Sequence, residues 1–164
     1  MNPNVTESET PEISQIHEVV LCPADTNALL RANREIRRAV FTVENGISQS
    51  VEQDELDGPD SPDSPCRHFV VERDGNAVGA LRCTFPAQGV VQLQRFCILS
   101  HVRGRGVGRA ALAALEDYYR PTMHRIELDA KFHVEGFYRA CGYRTISEKF
   151  VEAGVEHVKM RKDL

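Results

Sequence analysis

The segment Val102-Arg103-Gly104-Arg105-Gly106-Val107-Gly108-Arg109-Ala110 constrains this chain more than any other stretch. It follows the apolar run Leu93–Leu99 and opens an alanine- and leucine-rich helix. Glycines at alternate positions let the backbone pass close to a ligand and aim several N–H groups at one spot. The start of a helix adds N–H donors without intrahelical partners and a partial positive charge. Arg103, Arg105 and Arg109 crowd the same end. Cations at a helix N-terminus are unfavourable in isolation, so the pattern predicts an anion that completes the site, best a phosphate or pyrophosphate. The bland alternative is a solvated basic turn that only closes a strand-to-helix connection. The co-occurrence of strand, glycines, arginines and helix weighs against it.

A chain of 164 residues reads as one domain with room for a sizeable core. The net charge of −4 does not favour nucleic acid or an anionic membrane surface as partner. No apolar run approaches the roughly 20 residues of a membrane span. The polar stretch Met1–Ser14 lacks the basic start and apolar run of a signal peptide and reads as a disordered tail, leaving 15–164 as the domain. The five cysteines, Cys22, Cys66, Cys83, Cys97 and Cys141, include no Cys-x-x-Cys pair. That pattern predicts reduced thiols in a cytoplasmic protein and no metal site, since the histidines show no ligand spacing with them.

Periodicity supplies the rest of the organisation. Ile16–Cys22 reads as a first strand. Asp25 or Thr26 can cap a helix running to about Val43, with Leu29, Ala32, Ile36 and Val40 on one face. Arg31, Arg34, Arg37 and Arg38 lie on its other face and read as solvated. Residues 49–66 read as a loop rich in Asp, Ser and Pro. Asp74-Gly75 predicts a hairpin between His68–Glu72 and Ala77–Phe85, and a turn near Gln88-Gly89 leads to Val90–Leu99. The helix 107–119 buries Leu112, Leu115 and Tyr119, and Pro121 prevents its continuation. A strand His124–Asp129, a short helix Val134–Cys141 and a closing hairpin Tyr143–Val151 with Val155–Lys162 complete the chain. The order is β, helical region, βββ, α, β, α, ββ, which predicts an α/β fold with one mixed sheet.

Three phosphate-binding patterns compete for the loop. A Walker A loop needs a lysine and a hydroxyl that are absent here. A dinucleotide fingerprint fits Gly104 and Gly106, with Asp129 at a plausible distance, but needs a third glycine where the chain has Arg109. Arg103, Gly106 and Gly108 match the Arg/Gln-x-x-Gly-x-Gly/Ala loop of acyl-CoA-dependent acetyltransferases position for position. Phe137-Tyr138-Arg139-Ala140-Cys141-Gly142-Tyr143 resembles the FYxxxGF signature of the GNAT superfamily of N-acetyltransferases, in the right order and spacing. Val40–Gly46, Glu52–Gly58 and the tail from Tyr143 to Met160 resemble the ElaA/YjcF-like branch. The resemblance runs from about residue 28 to the C-terminus. It implies the GNAT fold, a single mixed, mostly antiparallel sheet flanked by helices.

The resemblance also implies a set of roles. The pyrophosphate of acetyl-CoA would sit on the loop Arg103, Gly104, Arg105, Gly106, Val107, Gly108 and Arg109. The pantetheine arm would run beside Phe96, Cys97 and Ile98 like an added strand, with a backbone N–H aimed at the thioester oxygen. Tyr138 stands where the family's proton donor to the coenzyme A thiolate stands, and a phenol, with a pKa near 10, suits that role. Lys131 replaces an asparagine that often contacts the cofactor, and a lysine there is long enough to reach its phosphates. Gln94 replaces a frequent glutamate base, which leaves Glu127, Asp129, His133, Glu135, Glu44 or a water chain as alternatives. Cys97 lies in an apolar strand, where a cysteine is more often a small buried hydrophobe than a nucleophile. The acidic run Glu52–Asp63 reads first as a solvated loop, second as a patch that attracts a cationic amine.

These readings converge on an acetyl-CoA-dependent N-acetyltransferase whose acceptor is a small primary amine or a lysine-like group. It would act without metal as a cytoplasmic monomer or homodimer. A non-catalytic acyl-CoA-binding module is the competing class, and the presence of Tyr138 favours the enzyme.

Overall fold

The computed structural model describes residues 18–58 and 64–164. The tail 1–14 and the beginning of the expected first strand, Ile16 and His17, lie outside them.

Asp74-Gly75 turns the chain as expected. Both residues have positive φ, 52° and 77°, as tight hairpin turns require. The turn joins β2 (Cys66–Arg73) to β3 (Asn76–Ala87), and a turn at Gly89 leads into β4 (Val90–Ile98). β1 (Val19–Pro23) pairs with β2. β5 (Arg125–Lys131) lies parallel to β4, and β8 (Val155–Asp163) lies antiparallel to β5. The sheet runs β1-β2-β3-β4-β5-β8-β6, with β7 also paired to β8, and among the described residues only β4–β5 is parallel. The expected strand Tyr143–Val151 is split into β6 (Arg144–Thr145) and β7 (Phe150–Glu152). Between them the Ser147 hydroxyl, not a backbone carbonyl, accepts the Lys159 amide at 2.8 Å, which interrupts the ladder.

Helices cover both faces. α3 (Val107–Tyr119) buries Ala111, Leu112, Leu115 and Tyr119 in the main core with Val91, Leu93, Ile126 and Leu128. α1 (Asn27–Arg37) is capped by Thr26, whose hydroxyl accepts from the Leu29 amide. It continues as a π-helical segment, Arg38–Glu44, that places Val40 with Ile36 against Ala80 and Cys97. The buried stripe of α1 is rotated from the expected one: Leu30, Asn33 and Arg37 are buried, while Leu29 and Ala32 are half-buried. The polar members account for the rotation. Asn33 Nδ2 donates to the carbonyls of Phe69 and Leu81, at 2.7 and 3.1 Å. No described helix is long and apolar enough to cross a membrane.

Two expectations are corrected here. Arg37 is not solvated; it is 0% exposed. The segment after α1 is not a solvated loop but folds as α2 (Gln49–Glu52) and a 3-10 turn, Glu55–Asp57. Arg37 Nε donates to Glu52 and Nη1 to Asp57, both at 2.5 Å. A guanidinium sealed from water needs such partners, and these carboxylates are drawn to it rather than to solvent. Residues 59–63, with Asp60 and Asp63, lie outside the described residues.

Burial alone would raise the Asp57 carboxyl, but the Arg37 hydrogen bonds and charge pull it from 3.8 to about 2. A carboxyl with a depressed pKa stabilises the fold above its unfolded value, and that stability is lost as pH falls through the folded value. Asp57→Asn should therefore cost roughly 3 kcal/mol near neutral pH, as breaking one side of a buried pair does. In urea unfolding, the gap from wild type should narrow between about pH 4 and pH 2. A gap independent of pH would show that the Asp57 charge is not what stabilises.

Candidate active site

The sheet opens at its one parallel junction. β4 and β5 pair from Val90–Arg125 to Leu93–Leu128 and no further. Beyond that point β5 stays with β8 through Lys131, and β4 stays with β3 through Ile98. The β5-facing edge of Gln94–Ile98 is thus without a strand partner among the described residues. Backbone N–H and C=O groups there must find another partner, and an extended amide-bearing chain is a fitting one. Phe96, Cys97 and Ile98 sit on this edge.

The glycine loop follows directly. Gly106 is the N-cap of α3 with φ 78°, and no side chain caps the helix. The Ala110 amide makes the first intrahelical bond, to Gly106. The amides of Val107, Gly108 and Arg109 precede that bond, and the first turn carries no acid. An uncapped helix start facing an open strand edge is a ready anion site.

The loop arginines divide. Arg103 Nε donates to the Ile98 carbonyl at 2.8 Å, and its other nitrogens grip the Glu44 carboxylate. Arg109 Nη2 donates to the Ala140 carbonyl at 2.6 Å. Both side chains thus brace the loop against neighbouring elements. The Arg105 side chain has no partner among the described residues, and Gly104 has φ 73°.

Tyr138 lies on α4 (Glu135–Ala140), which packs on the start of α3. The Phe137 ring sits where a Cβ on Gly108 would come within 3.2 Å of it, and Arg109 holds the end of α4. The Tyr138 ring stands edge-on to Phe137 and Tyr143, with centroids 5.1 and 5.8 Å away. Burial pushes its phenol pKa up, and the nearby Cys141 adds to this, so the group holds its proton at neutral pH.

The base candidates are mostly tied up. Gln94 Oε1 accepts from Arg82 at 3.0 Å, and Glu127 pairs with Arg125 at 2.8 Å. Asp129 lies 3.6 Å from Lys159. The hydrogen bond from Arg103 lowers the Glu44 pKa, and those from Thr145 and Arg139 lower that of Glu135. His133 is exposed in the turn Phe132–Val134. For Glu44 and Glu135 the shift runs opposite to that of a group poised to take a proton near neutrality. Burial pushes the Cys97 thiol up to about 12, which disfavours it as a nucleophile. Lys131 ends β5 on the opposite bank of the opening from Phe96–Ile98. No group of three or more metal-ligating side chains occurs among the described residues.

Sequence reasoning missed the partners of Arg82 and Arg95. Arg82 Nη1 and Nη2 each donate to Asp54 at 2.6 Å, and Arg95 reaches the carbonyls of Glu52 and Val51. A signal existed: arginines inside apolar strands imply buried carboxylates, and Glu52–Asp57 offered them.

Comparison with known proteins shows the family and the fold. The family of the acetyltransferase (GNAT) domain matches residues 40–164. The Bacillus subtilis N-acetyltransferase YjcF, itself uncharacterised, is 34% identical over 130 residues, covering 78% of this chain and 88% of its own. An acyl-CoA N-acyltransferase from Pseudomonas aeruginosa superposes with a TM-score of 0.67 at 26% identity, covering 89% of this chain and 99% of its own. Escherichia coli ElaA superposes with a TM-score of 0.72 at 21% identity, covering 90% and 99%, a likeness of fold.

Proposed function

This chain belongs to the GNAT acetyltransferase family, in its ElaA/YjcF-like branch, and on that premise we propose that it transfers acetyl from acetyl-CoA to a primary amine by direct attack in a ternary complex. The observation that carries the reading is the open edge of Gln94–Ile98 running into the uncapped start of α3, with α4 and Tyr138 packed beside it. The amides of Val107, Gly108 and Arg109 hold the pyrophosphate, and Arg105 and Lys131 add charge to the phosphates. Phe96–Ile98 pair with the amides of the pantetheine arm, and an N–H of this edge polarises the thioester carbonyl.

The neutral amine attacks that carbonyl, and the C–N bond forms as the C–S bond breaks. The proton on nitrogen leaves through water. Tyr138 gives its proton to the departing thiolate and regains one from solvent. Attack is direct in this reading, and the burial that pushes the Cys97 thiol up to about 12 disfavours an acyl-cysteine intermediate. The acceptor is a small primary amine or a lysine-like group, and the setting is cytoplasmic, in keeping with five cysteines that form no disulfide.

Acetyl-CoA at a hundredfold excess over its Kd should raise the melting temperature by roughly 5–10 °C, because it binds the native state alone. NADPH should do much less. A shift with NADPH and none with acetyl-CoA would overturn the cofactor. A panel of amines, followed by release of free thiol, identifies the acceptor. Acetyl-CoA binding without thiol release from any amine would favour a non-catalytic binding module.

A further inference from the structure

β4 departs from a regular strand at one place, and side chains from three other segments converge there. Arg95 has φ 53°, and Arg95 and Phe96 together stand opposite Leu81 alone, between the pairs Arg82–Gln94 and Ala80–Cys97. A bulky residue with that φ is strained and persists only where its surroundings hold it. Arg95 Nε donates to the Glu52 carbonyl at 3.1 Å and Nη2 to the Val51 carbonyl at 3.3 Å. Gln94 is held by Arg82, which forks onto Asp54 and lies 3.3 Å from Asp57. Asp57 and Glu52 are in turn gripped by the sealed Arg37. Three guanidinium groups face three carboxylates, so these acids form no patch that attracts a cationic amine.

The bulge has a geometric consequence. Leu93, before it, packs with α3 in the main core, whereas Cys97, after it, packs with Ile36 and Val40 of the α1 segment. One extra residue exchanges the faces of every later side chain and decides which N–H and C=O groups point into the opening. Buried ion networks rarely stabilise a fold more than apolar packing of the same volume does, so stability alone does not account for this one.

Building on the proposed function, we propose that the Arg37–Arg82–Arg95 network with Glu52, Asp54 and Asp57 holds the β4 bulge in register, and that Arg82 is a positioning residue acting through Gln94. The network sets which amides of Phe96–Ile98 meet the acyl chain and the thioester oxygen. It does so from α2 and the 3-10 turn, which lie outside the phosphate loop.

The test uses Asp54→Asn, which removes one charge from the Arg82 fork and leaves the Arg37 pairs in place. Amide hydrogen exchange should accelerate about tenfold or more at the β3-paired amides between Arg95 and Leu99, with those of the β2–β3 ladder unchanged. In turnover with an amine from the panel, kcat should fall about tenfold while KM for acetyl-CoA stays within roughly threefold. Equal acceleration throughout the core, or none at Arg95–Leu99, would overturn the proposal. So would an unaltered kcat. Should wild-type protein fail to bind acetyl-CoA, the transferase reading falls, while the exchange measurement still decides whether the network holds the bulge.

Discussion

Tyr138→Phe is expected to lower kcat by about 10²-fold or more, the range for losing a general acid. Cofactor affinity should barely change. The ring contacts with Phe137 and Tyr143 survive the substitution, and only the hydroxyl is lost. A change confined to the chemical step lowers kcat and kcat/KM together. A purely packing role gives the opposite result, since phenylalanine fills the same space. The raised phenol pKa adds a second expectation. A proton donor whose pKa lies above its ordinary value stays protonated to higher pH, so turnover should not decline between about pH 8 and 10 through loss of the Tyr138 proton. Full turnover by the phenylalanine variant, with chemistry rate-limiting, would make Tyr138 structural and move thiolate protonation to water or another residue, such as His133.

Gly106→Val should abolish coenzyme A binding while the fold persists. Gly106 has φ 78°, which a β-branched residue adopts only under strain, and it sits at the uncapped start of α3. A Cβ there meets nothing within 4 Å among the described residues, so the damage falls on the backbone conformation and on the ligand's approach. Gly108→Val should also lose binding, for a different reason. Gly108 lies inside the helix rather than at positive φ, and a Cβ there presses on the Phe137 ring at 3.2 Å. Its replacement displaces α4, so turnover in any residual complex should suffer as well. Calorimetry with coenzyme A on soluble, folded variant is the measurement. Wild-type affinity in Gly106→Val would remove the phosphate from this loop.

What was legible in the chain was whatever local chemistry decides. The span of α3, the turns at Asp74-Gly75 and Gly89 and the junction of strand, glycine loop and helix follow from hydrophobic period, glycine and proline. The candidate site was legible to the same extent, because the glycine loop and the Phe137-Tyr138 signature are short segments with their own spacing. Long-range pairing settled the rest. That β4 leaves β5 after Leu93 depends on a strand more than thirty residues away in sequence, and the bulge at Arg95 depends on Glu52 and Val51. Solvated arginines and acids became a sealed network because Arg37, Arg82, Asp54 and Asp57 meet only when α1 and the 49–58 segment close over the sheet. Charge periodicity on a helix records which residues share a face. Whether that face meets water or a carboxylate is decided by what folds against it.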